Sequence, residues 1–138
     1  MHSYKFTLKG TLDKIITPVI LDASDYDTSS SAEGTVENVN ALWDTGATVS
    51  VLSTDMVRRL GLVPQDVVWV RSYNGTPVKT NVYRVDIVMN DEIRLDFIEA
   101  IEASLPSSDM LLGMNVIGMG DLHIVHPDYK TIDLQFDM

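Results

Sequence analysis

The sequence contains no cysteine, so disulfide bonds, thiolate metal sites and cysteine nucleophiles are all excluded. Basic residues are also few: ten Lys and Arg stand against twenty Asp and Glu, which gives a formal net charge of −10. Because nucleic-acid binding depends on clustered Lys and Arg, we expect no nucleic-acid partner. The net charge also opposes the approach of identical chains, so self-association must depend on apolar contacts and backbone pairing.

Long hydrophobic runs are absent as well. No apolar stretch approaches the roughly 18 residues of a membrane-spanning helix, and residues 1–5 lack the basic stretch leading into an apolar one that begins a signal peptide. We therefore predict a cytoplasmic protein that does not contact membranes. The 138 residues, 45% hydrophobic and 22% charged, are typical of a single globular domain over residues 1–138.

Helical spacing of apolar residues is rare, whereas short alternating apolar and polar stretches are common, which predicts a mostly β fold. One short helix is predicted from Ser53 to Gly61, with a further helical turn at 115–119. Pro18 indicates an edge position for the second strand. The predicted strands are Phe6–Leu8, Ile15–Leu21, Val39–Trp43, Val67–Ser72, Val78–Asn90, Ile93–Ala100, Met110–Leu112, Leu122–Val125 and Thr131–Phe136.

Two connections between these strands carry distinct signals. Residues 22–34 are rich in Ser, Asp and Thr without an apolar period, so we expect an exposed, mobile loop. Asn74-Gly75 lies between two strand-like segments and is a strong hairpin signal, because both residues accept positive φ. A long hairpin with an exposed tip is therefore expected there.

The most informative motif is a single Asp-Thr-Gly tripeptide, Asp44-Thr45-Gly46, at the end of an apolar strand and followed by Ala47. An Asp in such a turn can be held by backbone amides and still face solvent. Alone the tripeptide is a weak signal, because an Asp that caps its own turn has the same sequence. Hydrolysis of a peptide bond by carboxylates alone needs two carboxyls that share a proton. One copy per chain therefore indicates either a symmetric dimer or no catalysis.

This motif, the hairpin downstream and Leu111-Leu112-Gly113 near the end of the chain occur in an order that resembles the retropepsin-like aspartic proteases. The resemblance covers roughly residues 17–120. It implies a small closed barrel with one or two short helices and a flap hairpin. It also implies an aspartic endopeptidase that acts as a homodimer, without a cofactor, on peptides in extended conformation.

The resemblance also implies roles for individual residues. Asp44 from each chain would form the catalytic pair, Thr45 would bond across the interface, and Gly46 would let the substrate backbone approach. Ala47 would complete the catalytic turn. Leu111, Leu112 and Gly113 would brace that turn, and residues 70–82 would form the flap, with Tyr73, Asn74, Gly75 and Thr76 nearest the substrate.

Two positions depart from the viral members of that family. Those proteins usually carry Arg after the second glycine and an acidic residue soon after the catalytic turn, and this ion pair reinforces the dimer. Here the two places hold Met114 and Thr48. A dimer of this chain must therefore be held differently, through apolar contact at Met114 and strands from the termini.

Other residues suggest alternative functions. His123 and His126 suggest a metal site, but positions three apart on a strand face opposite sides, so no metal is expected. No Gly-x-Ser-x-Gly nucleophile elbow occurs. A non-catalytic dimerisation or peptide-binding module with the same barrel is the main alternative. We expect solvated surfaces for a set of acidic residues: Asp86, Asp91, Glu92, Asp96, Glu99 and Glu102.

Overall fold

The computed structural model describes residues 1–10, 13–30, 32–71 and 74–138 and confirms a mostly β fold. Within these residues there are two short helices, α1 (Thr54–Leu60) and α2 (Met114–Ile117). No helix in the described residues is long and apolar enough to cross a membrane. The strands are β1 (Ser3–Lys9), β2 (Ile16–Asp22), β3 (Val36–Trp43), β4 (Ser50–Ser53), β5 (Asp66–Arg71), β6 (Pro77–Val88), β7 (Arg94–Ala103), β8 (Met110–Leu112), β9 (Asp121–Asp128) and β10 (Thr131–Asp137).

Seven strands form one sheet in the order β2-β3-β8-β4-β7-β6-β5, and a second pairing of β2 with β6 closes six of them into a barrel. β5 lies outside the closure and pairs with β6 alone in that order. Pro18 pairs opposite Asn40 of β3, whereas β6 joins β2 only from Ile20 onward. The part of β2 that contains Pro18 is thus a local edge, where the missing backbone donor costs nothing.

The remaining three strands form a terminal sheet in the order β1-β10-β9. One face of it packs on the barrel beside the strand that leads to Asp44. The ring of Trp43 lies 6.3 Å from that of Tyr4 and 5.4 Å from that of Phe136, measured between centroids. Its indole nitrogen donates to Thr17 at 2.8 Å, so the polar edge of this buried ring is satisfied. This packing fixes the residue immediately before Asp44.

The helix predicted at Ser53–Gly61 is confirmed, with both of its ends. The Ser53 hydroxyl accepts from the Met56 amide at 3.1 Å, as an N-cap does. Gly61 ends the helix with φ of 62°, a left-handed conformation that favours glycine. The strand immediately before it, β4, was missing from the sequence prediction.

The described residues of the 22–34 loop lie mostly at the surface, and part of the loop backbone is anchored. Its mobility stays a prediction. Ala23 is fully buried. The amides of Ser29 and Glu33 donate to the carbonyls of Gly61 and Arg59, at 2.7 and 2.8 Å, so the loop follows the end of α1. The composition of a loop does not predict backbone hydrogen bonds to a neighbouring helix.

Asp86 corrects another expectation, because it is buried rather than part of a solvated face. The residue is only 2% exposed. Its carboxylate accepts from the Tyr26 hydroxyl at 2.5 Å, the Phe97 amide at 3.0 Å and the guanidinium of Arg94 at 2.7 Å. Arg94 also reaches Asp22 at 2.9 Å. The buried carboxylate is therefore paired and hydrogen-bonded, as burial requires.

A bulge in the β6–β7 pairing lies next to this network. The register shifts between Val85 and Ile87, and Phe97 takes a φ of 59°. A positive φ is unusual for a bulky residue. The amide of Phe97 donates to Asp86 and the guanidinium of Arg84 lies 4.6 Å from the centre of its ring, and these contacts hold the conformation.

Candidate active site

Asp44 lies directly after β3, whose alternate residues Val39, Ala41 and Trp43 point into the core. Its backbone amide donates to the carbonyl of Leu112 at 2.9 Å, which ties the end of β3 to β8. One side-chain oxygen accepts from the Gly46 amide at 2.8 Å. Asp44 as a whole residue is half-buried. It is thus fixed in orientation while part of it faces solvent.

The residues after Asp44 form a tight turn at the surface. The Ala47 amide donates to the Asp44 carbonyl at 3.3 Å, which closes the turn. Thr45 and Gly46 are exposed, and Ala47 is half-buried. A Cβ on Gly46 would lie 3.2 Å from the carboxylate oxygen of Asp44, so glycine keeps this oxygen clear.

Leu111, Leu112 and Gly113 lie beside the Asp44 turn. β8 pairs parallel with β3, with Leu112 opposite Trp43, and antiparallel with β4. Gly113 then passes close to the backbone of that turn. A Cβ there would lie 2.7 Å from the carbonyl carbon and oxygen of Val49 and 2.9 Å from the carbonyl oxygen of Ala47, so only glycine fits. The Met114 amide donates to Ala47 at 2.7 Å.

A side-chain hydrogen-bond network joins Ser50 of β4 to Gly113 and Asn115, and neither Ser50 nor Asn115 was among the predicted site residues. The side-chain oxygen of Asn115 accepts from both the amide and the hydroxyl of Ser50, at 2.9 and 2.8 Å. The Ser50 hydroxyl in turn accepts from the backbone amide of Gly113 at 3.0 Å. The side-chain amide nitrogen of Asn115 donates to the backbone carbonyl of Glu99 at 2.9 Å. In the sequence, the position of Asn115 two residues after Gly113 does not by itself predict which residue it bonds to.

A hairpin is present where the sequence predicts one, formed by β5 and the first half of β6, with Arg71 opposite Pro77. Asn74 accepts from the Thr76 amide at 3.0 Å, and Gly75 has a φ of 83°. The sequence suggested a turn in which both Asn74 and Gly75 have positive φ. In the described part of this turn only Gly75 does, so the connection is of a different type. Tyr73 lies outside the described residues.

Thr48 and Met114, the positions where viral members carry the ion pair, lie beside the Asp44 turn. Thr48 is exposed and its carbonyl accepts from the Asn115 amide at 3.2 Å. Met114 is also exposed and opens α2. An apolar side chain at the surface here is available for contact with another molecule.

A cavity of about 440 Å³ opens beside Asp44. Its walls come from three segments: the chain before β2, the end of β3 and the terminal hairpin of β9 and β10. His126 lines it, whereas His123 lies 3.3 Å from Asp137 across the terminal sheet, so the two histidines face different surroundings. The lining residues are Asp13, Lys14, Ile15, Leu42, Trp43, Asp44, His126 and Ile132.

In chemical terms the chain offers one oriented carboxylate in an open cavity. In the described residues no group of three or more His, Asp or Glu side chains is placed to hold a metal ion. A single carboxylate can act as a base toward water, and protonation of the substrate oxygen needs a second carboxyl. Within the chain, the other carboxylate residue that lines this cavity is the exposed Asp13.

The chain was compared with known families, curated sequences and solved structures. The family model of the gag-polyprotein putative aspartyl proteases matches residues 31–119. No curated protein sequence matches the chain. The structure is similar to a retropepsin-like aspartic protease from Rickettsia conorii, with a TM-score of 0.59 and 14% identity over 99% of this chain and 95% of that chain.

It is also similar to the EIAV protease in complex with the inhibitor HBY-793, with a TM-score of 0.53 and 22% identity over 78% of this chain and 88% of that chain. At these identities the two structures show the fold, which is the retropepsin-like barrel expected from the sequence. The family model covers more than half of the chain, and by that match the chain belongs to the gag-polyprotein putative aspartyl protease family.

Proposed function

We propose that this protein is an aspartic endopeptidase that acts as a homodimer, with Asp44 of each chain supplying one carboxyl of the catalytic pair. The observation that carries the proposal is the setting of Asp44. Its carboxylate is oriented by the Gly46 amide, its backbone is tied to Leu112, and it opens into a cavity. Family membership supports the same chemistry.

The proposed mechanism follows from two carboxyls that meet near a two-fold axis. Like charges about 3 Å apart cannot both ionise, so the pair holds one proton. The ionised Asp44 takes a proton from a bound water, which attacks the scissile carbonyl. The protonated Asp44 donates to the oxygen on which charge develops. Because water attacks directly, no covalent intermediate forms.

The neighbouring residues have supporting roles in this proposal. Thr45 is exposed, so its hydroxyl is free to reach the other chain and hold both turns. Gly46 and Ala47 keep the approach to the carboxylate open. The hairpin over residues 70–82 covers an extended peptide and pairs with its backbone, and this excludes water during the reaction.

A non-catalytic dimerisation or peptide-binding module is the competing function. The observation that favours it is the pair Met114 and Thr48, which lack the charges that reinforce viral dimers. The two functions differ in one measurable respect, because only the protease depends on the Asp44 carboxyl for turnover.

Asp44→Asn is therefore the test of the proposed function. The variant keeps the shape of the side chain but loses the titrating group, so cleavage of a mixed library of extended, largely apolar peptides should fall by at least about three orders of magnitude. Asp55→Asn, an exposed position on α1, is the matched control and should cleave at the wild-type rate. An Asp44→Asn variant that cleaves normally would contradict the mechanism, and a wild-type dimer that binds peptides without cutting them would favour the module.

A further inference from the structure

The hairpin of β5 and the first half of β6 has two faces of different chemistry. Successive side chains of a strand point to opposite sides, and directly paired residues share a side, so the pairing of Trp69 with Lys79 defines one face. This face, the Trp69 face, consists of Val67, Trp69, Arg71, Pro77 and Lys79. The opposite face is uncharged and consists of Val68, Val70, Val78 and Thr80.

The Trp69 face is the one that points away from the molecule. Val68 and Val70 of the opposite face are half-buried, whereas Trp69 is 70% exposed and Val67 is 44% exposed. In the proposed function this hairpin covers a largely apolar peptide, and the uncharged face is the one suited to that contact. The Trp69 face also shares no residue with the cavity beside Asp44.

The exposure of Trp69 is unusual, because tryptophan is on average a highly buried residue. The other tryptophan, Trp43, is 7% exposed and packs between two aromatic rings. On the face of Trp69, the exposed Val67 lies two residues before it and the exposed Pro77 lies diagonally across the hairpin. Tryptophan is one of the residues that contribute most to binding at protein interfaces, so this apolar group is suited to recognition.

The same face is basic, in a chain whose net charge is −10. No Asp or Glu occurs from Val67 to Val85, a segment that contains almost all of the hairpin. Lys79 lies directly opposite Trp69, and Arg71 follows Trp69 by two residues on the same side. The Trp69 face therefore carries two cations and no carboxylate.

Arg71 differs from the other arginines because it has no carboxylate partner. In the part of the chain that the structure describes, neither Arg71 nor Lys79 forms a salt bridge. The guanidinium of Arg71 donates to the carbonyl of Gly75 at 3.1 Å, which holds it beside the turn. The other arginines each contact an Asp or Glu oxygen at 2.7–3.3 Å, namely Arg58, Arg59, Arg84 and Arg94.

We propose that the Trp69 face binds an acidic segment of another polypeptide, in which Asp or Glu residues flank an apolar side chain. The carboxylates of this segment pair with Arg71 and Lys79, which lie on two sides of Trp69, and the apolar side chain packs on the indole ring. Charge complementarity selects this occupant. The inference does not depend on proteolysis, because the Trp69 face uses neither Asp44 nor the cavity beside it.

An acidic segment fits this face better than an anionic membrane does. A membrane is a wide charged surface that repels a chain with a net charge of −10. A short peptide segment meets chiefly the local charges, because the field of more distant carboxylates is screened beyond about 8 Å at physiological salt.

The fluorescence of Trp69 reports directly on whether this face is occupied. The probe is a synthetic peptide of Glu and Leu without aromatic residues, and its neutral counterpart carries Gln in place of each Glu. Binding is measured with full-length Asp44→Asn protein, so that cleavage cannot consume the peptide. The Glu peptide should shift the emission of Trp69 to shorter wavelength, because the exposed indole is removed from water. Trp69→Phe should lose the shift but keep its affinity within about threefold by calorimetry, because an aromatic ring remains.

Replacement of the two cations tests the charge complementarity. In the same background, Arg71→Gln combined with Lys79→Gln should bind the Glu peptide about tenfold more weakly, and the unaltered face should prefer the Glu peptide over the Gln peptide by a similar factor. Trp69→Ala should also weaken binding about tenfold. Lys130→Gln is the matched control, since Lys130 likewise lies beside an exposed aromatic ring, that of Tyr129, and its affinity should change less than about twofold. All of these side chains are exposed, so the variants are expected to fold.

Two kinds of result would overturn this inference. One is an affinity that is equal for the Glu and Gln peptides, or that survives the loss of both cations. The other is a Trp69 shift with vesicles of anionic phospholipid but not with the Glu peptide, which would assign the face to a membrane.

The outcomes also separate this inference from the proposed function. Wild-type protein that cleaves peptides but does not bind the Glu peptide at the Trp69 face would support the protease and overturn this inference. Wild-type protein that binds the Glu peptide there but cleaves no peptide would support this inference and contradict the protease.

Discussion

At the residue scale, the site depends on glycines at places where no side chain fits. Gly113 passes so close to Val49 and Ala47 that a Cβ would overlap their backbone atoms. Backbone cannot move aside as a flexible side chain can. The close approach brings the Met114 amide to the carbonyl of Ala47, so the conformation of the Asp44 turn depends on the glycine.

Gly113→Ala should lower the free energy of unfolding by about 2 kcal/mol or more, because the added methyl group forces the braced segments apart. Urea unfolding followed by circular dichroism measures the change. Gly34→Ala is the matched control: its Cβ would meet no atom within 4 Å, so we expect a change within about 0.5 kcal/mol. Equal stabilities of the two variants would show that the loop around Gly113 is not tightly packed.

The Asp44 turn and the Leu111-Leu112-Gly113 segment can be found in the sequence because both are contiguous motifs. The hydrogen bond between Ser50 and Asn115 could not be predicted, because these two residues lie 65 positions apart. The expectation of a solvated Asp86 was wrong, because its burial depends on Tyr26, 60 positions away, and on Arg94. A polar residue in a strand shows its burial only when its partners are known.

At the scale of elements, the Asp86 network joins the loop after β2 to both strands of the β6–β7 hairpin. Burial alone would raise the pKa of Asp86, but hydrogen bonds from Tyr26, the Phe97 amide and Arg94 outweigh it and hold the pKa below its ordinary value. Hydrogen bonds from Ser24 and Arg94 likewise lower the pKa of Asp22. Burial, followed by the bond to Asp86, raises the pKa of Tyr26 to about 12.

Carboxyls with a lowered pKa stabilise the folded state above their unfolded pKa of about 3.9 and lose that contribution as the pH falls through the folded value. Asp86→Asn should therefore cost about 1–3 kcal/mol at pH 7, and the difference from wild type should shrink below about pH 4. Urea unfolding at pH 7 and pH 3 measures this. Asp96→Asn, at an exposed partner of Arg94, should cost far less. A difference that grows in acid would contradict the account.

The strands were predicted well where alternation is long, as in β6 and β7. β4 was missed because four residues, Ser50–Ser53, give too short a pattern, and the last of them is also the helix cap. Its pairing is with β7 and β8, distant in sequence, so no local signal fixes it. The terminal hairpin was predicted as two strands, but the order β1-β10-β9, which leaves β9 at an edge, follows only from the structure.

At the scale of the whole molecule, the net charge opposes the dimerisation that the proposed function needs. Each chain has a net charge of −10, yet the proposed activity requires two chains to meet. Screening should relieve this repulsion, because the Debye length falls from about 10 Å at 0.1 M salt to about 3 Å at 1 M.

Raising sodium chloride from 0.1 to 1 M should lower the dissociation constant of the dimer by about threefold or more, as measured by sedimentation. A sucrose series of matched osmolality is the control and separates screening from exclusion effects. A dissociation constant that rises with salt would mean that opposite charges hold the dimer, which the exposed apolar Met114 does not predict.

The central claim is that one active site needs Asp44 from two chains, and subunit mixing tests it most directly. Wild-type protein is equilibrated with a ninefold excess of Asp44→Asn, and the rate of peptide cleavage per wild-type chain is measured. If both carboxyls are required, only wild-type pairs are active, so this rate falls to about one tenth. A rate per wild-type chain that is unchanged by the excess would show that a single Asp44 suffices and would contradict the account.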